Sequence, residues 1–183
     1  FPRFDEAGKN LIRKAYAIAE QALKDMNRGN GRPFIEHPDA VAHIADEEIG
    51  LSAECIAAVY LHEAVRFKPE TDIASEGFGK DILTIVDGLN KISTINPKDT
   101  RLEAENYKRL IVSYSRDPRV TVLKIADRLE VMRSLDMFPK TSRERKVLET
   151  MMLYIPLAHQ LGLYNIKSEL EDIYFRYAEP EQY

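Results

Sequence analysis

Apolar residues recur at helical spacing along almost the whole chain, and this periodicity restricts the fold more than any other feature. Near the start they return every three or four positions and trace one face of a helix, made of Leu11, Ile12, Ala15, Ile18, Ala19, Ala22, Leu23 and Met26. Strand-like alternation is nowhere sustained. The sequence therefore predicts an all-α fold, a multi-helix bundle that forms one domain over residues 1–183.

Turn and cap residues divide this pattern into separate helices. Ser52 suits the N-cap of a helix that runs to about Val65, and this segment is apolar on most sides, so we expect it to be the central, buried helix. Pro38 suits the first turn of the helix before it. Five further helices are expected: Lys80 to about Ile92, Leu102 to Ser115, Pro118 to Leu135, one that starts near Ser142, and Asn165 to Tyr177. A loop is expected from Ser93 to Asp99. A kink or break is expected at Pro156.

Composition narrows the kinds of partner. The chain has 183 residues, 44% of them hydrophobic, which is enough for one domain with a real core and too little for two. The net charge is −4 and no basic stripe stands out, so direct binding of nucleic acid is not expected. A local basic pocket for a small phosphorylated ligand is still allowed.

The single cysteine and the lack of long apolar runs indicate the compartment. Cys55 excludes an internal disulfide and lies in an apolar run, where a packed thiol is expected rather than a nucleophile. No run of about twenty uncharged apolar residues and no signal peptide is visible, so we expect a cytoplasmic protein without a membrane segment. The chain starts at Phe1 and stops at Tyr183, and we interpret both ends as cuts in a longer protein.

Two histidines and two carboxylates fall where they need a partner or a ligand. His62 and Glu63 lie in the segment expected to be buried, where an unpaired polar group costs free energy. His37 precedes a helix start, and Asp127 follows an apolar run. Imidazole and carboxylate ligands suit manganese, iron or zinc, so His37, His62, Glu63 and Asp127 form a candidate metal site. The alternative is that these are core polar groups satisfied by neighbours, with Asp127 paired to Arg128 or Lys124.

The two other histidines are given no ligand role. His43 is followed by the acidic run Asp46-Glu47-Glu48 and is expected on a solvated helix face. His159, close to Gly162, is expected to be a structural residue near a helix end.

Several ordered sequence blocks are spread across nearly the whole chain. They are Gly31-Arg32-Pro33-Phe34-Ile35-Glu36-His37-Pro38, Ala57-Ala58-Val59-Tyr60-Leu61-His62, Ile85-Val86-Asp87-Gly88-Leu89-Asn90-Lys91, Lys124-Ile125-Ala126-Asp127-Arg128-Leu129 and Tyr154-Ile155-Pro156-Leu157-Ala158-His159-Gln160-Leu161-Gly162. In this order they resemble the N-terminal hydrolase domain of the RelA/SpoT family, a member of the HD superfamily. The enzymes of that family make and degrade the alarmone nucleotides ppGpp and pppGpp.

This resemblance implies an HD-domain bundle and a manganese-dependent removal of the 3′-pyrophosphate from ppGpp. The family's metal ligands are His, His, Asp and Asp, at the positions of His37, His62, Glu63 and Asp127. Arg28 stands where the family places a basic residue against the nucleotide base, a task that suits a flat cation. Further nucleotide contacts are expected from Lys124, Arg128 and Ser134.

The departures from the family pattern fall on the chemistry. Glu63 replaces an Asp, and its extra methylene moves the carboxylate outward by more than about 1 Å. Arg66-Phe67-Lys68 replaces a Glu-Asp-Thr segment that supplies catalytic carboxylates. Val131 stands where the family has an Asn, and only the hydroxyl of Ser134 remains beside it. We therefore expect no intact catalytic group, and a metal site that is weak or vestigial.

Three functional readings follow from this mixture. The first is a degenerate, inactive hydrolase-like domain with a regulatory or structural role, in a protein whose working activity is that of a GTP pyrophosphokinase in a following synthetase domain. The second is an active manganese-dependent ppGpp hydrolase in which Glu70 or Glu130 replaces a lost carboxylate. The third is a guanine-nucleotide sensor that binds ppGpp without metal through Arg28, Lys124 and Arg128, aided by the charges of Arg66 and Lys68.

Overall fold

The described part of the chain is helical, as the periodicity predicts. A computed structural model describes residues 1–93, 111–112 and 116–178. Within these ranges no strand forms, apart from an isolated β-bridge between Asn27 and Pro33. The α-helices are α1 (Glu6–Leu23), α2 (Glu36–His43), α3 (Ala53–Phe67), α4 (Lys80–Ser93), α5 (Pro118–Arg133), α6 (Lys140–Glu149), α7 (Ile155–Gln160) and α8 (Tyr164–Ala178).

Helix α3 is the central element of the bundle. Ser52 caps its start by accepting a hydrogen bond from the Cys55 amide at 3.4 Å. Every residue from 55 to 64 is buried, and α3 contacts α1, α2, α4 and α5. The expectation of a buried central helix is confirmed, although α3 ends at Phe67 rather than near Val65. Its position places His62 and Glu63 inside the protein.

Helices α1 and α5 pack on α3 through apolar faces that the sequence makes visible. Asp5 caps α1 by accepting from the Gly8 amide at 2.8 Å, and the buried face of α1 consists of Ile12, Ala15, Ala19 and Leu23. Asp117 caps α5 and Pro118 occupies its first turn. The buried residues of α5 include Leu123, Ile125, Ala126 and Leu129, so that Asp127 and Glu130 are held beside α2.

Two π-helical turns interrupt regular α-helix geometry. One, Ile44–Ile49, extends α2 and ends at Gly50, whose φ of 83° is in the left-handed region. The other, Thr150–Tyr154, joins α6 to α7, and Pro156 lies in the first turn of α7. Proline has no amide hydrogen and its ring clashes with the carbonyl four residues earlier, so the wider turn falls where the sequence predicts a kink or break.

Other sequence expectations have mixed outcomes. Helix α6 begins at Lys140 rather than near Ser142, and a 3-10 turn, Ala74–Glu76, lies between α3 and α4. Cys55 is buried, His43 lies partly exposed near Asp39 and Glu47, and His159 lies exposed at the end of α7. Most of the helix predicted from Leu102 to Ser115, and nearly all of the loop predicted before it, lie outside the described residues.

None of the helices in the described ranges is both long and apolar enough to cross a membrane.

The turn that carries Arg28 is tightly packed against the 3-10 turn Leu135–Met137. A Cβ atom added at Gly29 would lie 2.5 Å from the backbone oxygen of Met137, closer than real contacts allow. Gly29→Ala should therefore lower the free energy of unfolding by about 1–3 kcal/mol, the usual effect of overpacking. Asn30→Ala, which removes only an exposed hydrogen bond to the Arg32 amide, is the control. Equal denaturation midpoints for the two variants in urea would contradict this packing.

Candidate metal and nucleotide site

Three helices supply the predicted metal ligands. His37 comes from the first turn of α2, His62 and Glu63 come from the buried α3, and Asp127 comes from α5. Ligand atoms of His37, Glu63 and Asp127 all lie within 4.8 Å of one another. The Nε2 atom of His62 lies 3.4 Å from a carboxylate oxygen of Glu63, at the edge of this group. The fold thus brings three of the four predicted ligands together and places His62 beside one of them, Glu63.

The Glu63 carboxylate supports the presence of a cation in this cluster. The side chain is 1% exposed, and neither of its oxygens has a hydrogen-bond partner among the described residues. The Arg66 guanidinium, at 3.8 Å, and the His62 ring, at 3.4 Å, lie beyond normal hydrogen-bond length from this carboxylate. A buried carboxylate left in this state costs free energy that a bound metal ion would offset. The donor set of imidazole and carboxylate fits manganese, as the family resemblance implies.

Both histidines present a suitable ring nitrogen to this cluster. The Nδ1 atom of His62 lies 2.9 Å from the Asn90 side-chain oxygen, and the Nδ1 atom of His37 contacts Glu130. A protonated Nδ1 donates to an oxygen in each case, so Nε2 is the nitrogen that faces the other ligands. The Nε2 atom of His37 lies 2.9 Å from Asp127. Outer partners of this kind fix the tautomer of metal-binding histidines.

The pKa values of the two histidines in the cluster differ widely. Burial, together with the charge of Lys124, lowers the pKa of His62 to about 3, so this ring is neutral at neutral pH. Burial also opposes the charge on His37, but the carboxylates of Asp127 and Glu130 outweigh it and raise the pKa of His37 to about 10. Burial alone would raise the pKa of Asp127, yet the charge of His37 lowers it, so Asp127 is ionised. Burial raises the pKa of Glu63.

A cavity of about 780 Å³ opens beside the cluster and includes His37 and Asp127 in its wall. This volume lies within the range of cofactor and nucleotide sites. Aromatic rings of Phe34, Phe67, Phe138 and Tyr154 form its apolar part. Its cations are Arg28, Arg66, Lys124, Arg128, Arg145 and Lys146. The cavity therefore has the basic lining that a phosphorylated ligand would need, and binding of such a ligand stays a prediction.

The predicted nucleotide residues differ in their surroundings. Lys124 and Arg128 line the cavity, and the Arg128 guanidinium lies over the Tyr154 ring, 4.6 Å from its centre, while donating to the Lys146 carbonyl. Arg28 also lines the cavity, but its guanidinium is bound to Glu130 and Ser134. Ser134 is not among the residues of the described cavity wall. Roles in binding a nucleotide stay predictions for all four.

The segment that departs from the family pattern faces this cavity in part. Arg66 and Phe67 belong to the cavity wall, whereas Lys68 is exposed and lies outside it. The Phe67 ring packs edge-on against Phe34 with 5.1 Å between centres, and the Arg66 guanidinium lies 5.0 Å from the Phe67 ring centre. The cation and the aromatic ring thus occupy the side of the site where the resemblance implies carboxylates.

Sequence reasoning missed two residues that orient the ligands. Asn90 accepts from His62, and Glu130 contacts both His37 and Arg28. Glu130 was considered only as a replacement for a lost carboxylate. Its spacing of three residues from Asp127 on α5 was the available signal, because residues three apart share a helix face. Asp127 pairs with His37, and this contact was not among the pairings expected for it.

The helical bundle with this histidine and carboxylate cluster is that of an HD domain. The family model described as "HD domain" matches residues 15–164, and the chain belongs to that family. It is also homologous to the RelA/SpoT enzymes, as the sequence blocks predict.

Curated relatives carry both hydrolase and synthetase names. A guanosine-3′,5′-bis(diphosphate) 3′-pyrophosphohydrolase of Aquifex aeolicus is 39% identical over 173 residues, covering 94% of this chain and 24% of that protein. The bifunctional (p)ppGpp synthase/hydrolase SpoT of Escherichia coli K12 is 37% identical over 174 residues, covering 94% and 25%. A Mycobacterium leprae protein named "Probable GTP pyrophosphokinase" is 35% identical over 181 residues, covering 98% and 23%. The chain thus spans about a quarter of the length of these relatives.

A solved structure of a metazoan ortholog of SpoT, described as hydrolysing ppGpp, has the same fold. It superposes with a TM-score of 0.69 over 96% of this chain and 98% of that chain, at 19% sequence identity. At this identity the likeness confirms the all-α HD-domain fold and nothing finer.

The charge on His37 leads to a prediction about how metal affinity depends on pH. Because the pKa of His37 is about 10, its ring is protonated at neutral pH and a metal ion must displace that proton. The apparent affinity for Mn²⁺ should therefore rise by at least about tenfold for each pH unit between about pH 6.5 and about pH 8. Electron paramagnetic resonance of free Mn²⁺ measures this affinity. An affinity that does not change with pH would contradict the assignment of His37 as a ligand.

Proposed function

We propose that this domain is a degenerate ppGpp 3′-pyrophosphohydrolase domain, which retains the cavity for ppGpp and a weak manganese site but has lost most of its hydrolytic activity. Its role would then be regulatory or structural in alarmone metabolism. The observation that carries the proposal is the presence of Arg66 and Phe67 in the cavity wall, next to the ligand cluster. These two residues stand where the resemblance implies the acidic residues that handle protons.

The metal half of the proposal rests on the cluster geometry. His37, Glu63 and Asp127 would hold the ion, with His62 at its edge. A bound manganese ion would polarise the phosphate and lower the pKa of a water molecule. The buried Glu63 oxygens without hydrogen bonds support a cation at this place.

The proposal that general acid–base catalysis is lost rests on the surroundings of the remaining carboxylates. Among the described residues of the cavity wall only Asp127 and Glu149 are acidic. Asp127 belongs to the metal cluster, and Glu149 is paired with Arg128 and Arg145 at 3.6 and 3.5 Å. Neither carboxylate is therefore placed to act as the general base. Loss of general acid–base catalysis costs roughly 10²- to 10⁴-fold in rate.

Neither replacement carboxylate suggested by the sequence lies ready for catalysis. Glu70 is exposed and does not belong to the described cavity wall. The Glu130 carboxylate is occupied by Arg28 and His37. These positions support reduced hydrolysis over a rebuilt active site.

The proposal that the domain binds ppGpp rests on the charge and shape of the cavity. A ppGpp molecule carries two diphosphates and a purine, and the cavity offers several cations beside aromatic and apolar walls. Lys124 and Arg66 lie on the side of the metal cluster, since both charges act on Glu63 there. Arg145 and Lys146 come from α6. The cavity can therefore meet phosphates at two places, as a bis(diphosphate) requires.

For the whole protein we propose a cytoplasmic RelA/SpoT-type enzyme with a synthetase domain of the GTP pyrophosphokinase type. The names of the curated relatives support this, as does the short share of their length that this chain spans. The synthetase domain of the same chain would then be the domain's main partner, and ppGpp its ligand.

An active manganese-dependent hydrolase is the second candidate. The observation that favours it is the intact gathering of His37, Glu63 and Asp127, together with the hydrolase names of the relatives. A ppGpp sensor that needs no metal is the third, favoured by the cations of the cavity wall.

Restoring the acidic pair tests the proposal. The double variant Arg66→Glu/Phe67→Asp should release pyrophosphate from ppGpp with Mn²⁺ about 10²- to 10⁴-fold faster than the unchanged domain, because it returns carboxylates to the cavity wall. Metal content and nucleotide binding are measured on the same samples, so that a change in binding is separated from a change in turnover.

Lys68→Glu is the matched control, since it adds a carboxylate to the same segment but outside the cavity wall. It should leave the rate unchanged. Fast turnover by the unchanged domain, lost on changing His62 or Asp127 to Ala, would replace the proposal with the active hydrolase. Nucleotide binding that is equal with and without Mn²⁺, with no turnover in any variant, would favour the sensor.

A further inference from the structure

Glu130 lies at the centre of a buried network that connects Arg28 with His37. The Arg28 guanidinium donates two hydrogen bonds to its carboxylate, from Nη2 at 2.7 Å and Nη1 at 3.1 Å. The carboxylate side chain is 8% exposed and the Arg28 side chain 9%. Ser134 adds a contact from its hydroxyl to Glu130 at 3.2 Å, and its oxygen accepts from Arg28 at 3.1 Å. A bidentate arginine and carboxylate pair of this kind has a fixed orientation.

The same carboxylate also contacts the Nδ1 atom of His37. A carboxylate accepts only, so Nδ1 must carry the hydrogen in this contact. The opposite nitrogen, Nε2, then points to Asp127 at 2.9 Å and to the ligand cluster. Carboxylate, histidine and metal in series are a common arrangement, in which the outer carboxylate fixes the ring and increases its basicity.

Arg28 explains why a third carboxylate is tolerated here. Glu63 and Asp127 already place two acidic groups in the cluster, and an uncompensated Glu130 would add a repelling charge. The arginine comes from the turn after α1 and lies 102 residues away in the chain, so its pairing with Glu130 also ties that turn to α5. Its guanidinium is thereby committed to Glu130.

We propose that Glu130 is a positioning residue for the metal ligand His37, and that Arg28 acts through Glu130 by holding its carboxylate in place. This inference rests on the metal site of the proposed function. The sequence resemblance assigns Arg28 to the nucleotide base and gives Glu130 no such role. In this chain, changing Arg28 should therefore lower the affinity for the metal ion as well as the affinity for the nucleotide.

Mn²⁺ binding to the whole domain, measured by electron paramagnetic resonance without nucleotide, tests the inference. Glu130→Ala should weaken Mn²⁺ binding by about 10- to 100-fold, the usual effect of removing an outer partner of a ligand histidine. Glu130→Gln, which keeps an oxygen to accept from Nδ1, should recover most of that loss. Arg28→Ala should weaken binding in the same direction as Glu130→Ala.

Glu169→Ala is the control for a purely structural effect. Glu169 accepts two hydrogen bonds from Arg133 at 2.6 and 2.7 Å, so its removal breaks a similar pair that also involves α5. It should leave Mn²⁺ affinity unchanged. Equal affinity in Glu130→Ala and the unchanged domain would overturn the inference while leaving the metal site standing. Absence of Mn²⁺ binding by the unchanged domain would overturn the metal site itself, and the inference with it.

In the zinc-loaded domain, which is diamagnetic, nitrogen NMR gives a second readout. The His37 ring should show a protonated Nδ1 and a metal-bound Nε2, and Glu130→Gln should keep this pattern. Zinc bound through Nδ1 of His37 in the unchanged domain would also overturn the inference, whatever the affinities.

Discussion

The buried carboxylate of Glu63 is the constraint on which the rest of the site depends. An acidic side chain in the centre of an apolar helix is unfavourable unless opposite charge approaches it from outside that helix. In this protein α2 brings the charged His37 ring and α5 brings Lys124 towards Glu63, whereas Asp127, also from α5, adds a second negative charge that a bound cation would offset. The packing of α2 and α5 on α3 is thus linked to the binding of a cation at this site. Stability and cation binding are expected to depend on the same few contacts.

Much of this arrangement was visible in the sequence. The apolar surroundings of His62 and Glu63 predicted a buried helix, and the four ligand candidates followed from the cost of leaving such groups unpaired. The network of Arg28 with Glu130 was not predictable in this way, because a contact across 102 residues leaves no periodic signal. The π-helical turns were likewise not predicted, apart from the disturbance at Pro156, since hydrophobic spacing does not distinguish them from α-helix. Most of the helix expected from Leu102 to Ser115 lies outside the described residues.

The site separates into a binding part and a reactive part. The ligand cluster and the cations of the cavity belong to the binding part, which we propose holds a metal ion and a phosphorylated nucleotide. Arg66 and Phe67 belong to the second, where acidic groups would be needed to move protons. A domain that keeps the binding part without the reactive part could report the presence of ppGpp to a neighbouring domain. Reduced turnover would favour that role, because a bound nucleotide would persist.

A crystal structure of the domain soaked with Mn²⁺ and ppGpp tests this separation most directly. Anomalous scattering locates manganese, and the electron density shows whether the 3′-diphosphate is still attached. The account predicts one manganese peak among His37, Glu63 and Asp127, with an intact ppGpp molecule in the cavity. A nucleotide that has lost its 3′-diphosphate, or a cluster without a manganese peak, would contradict it.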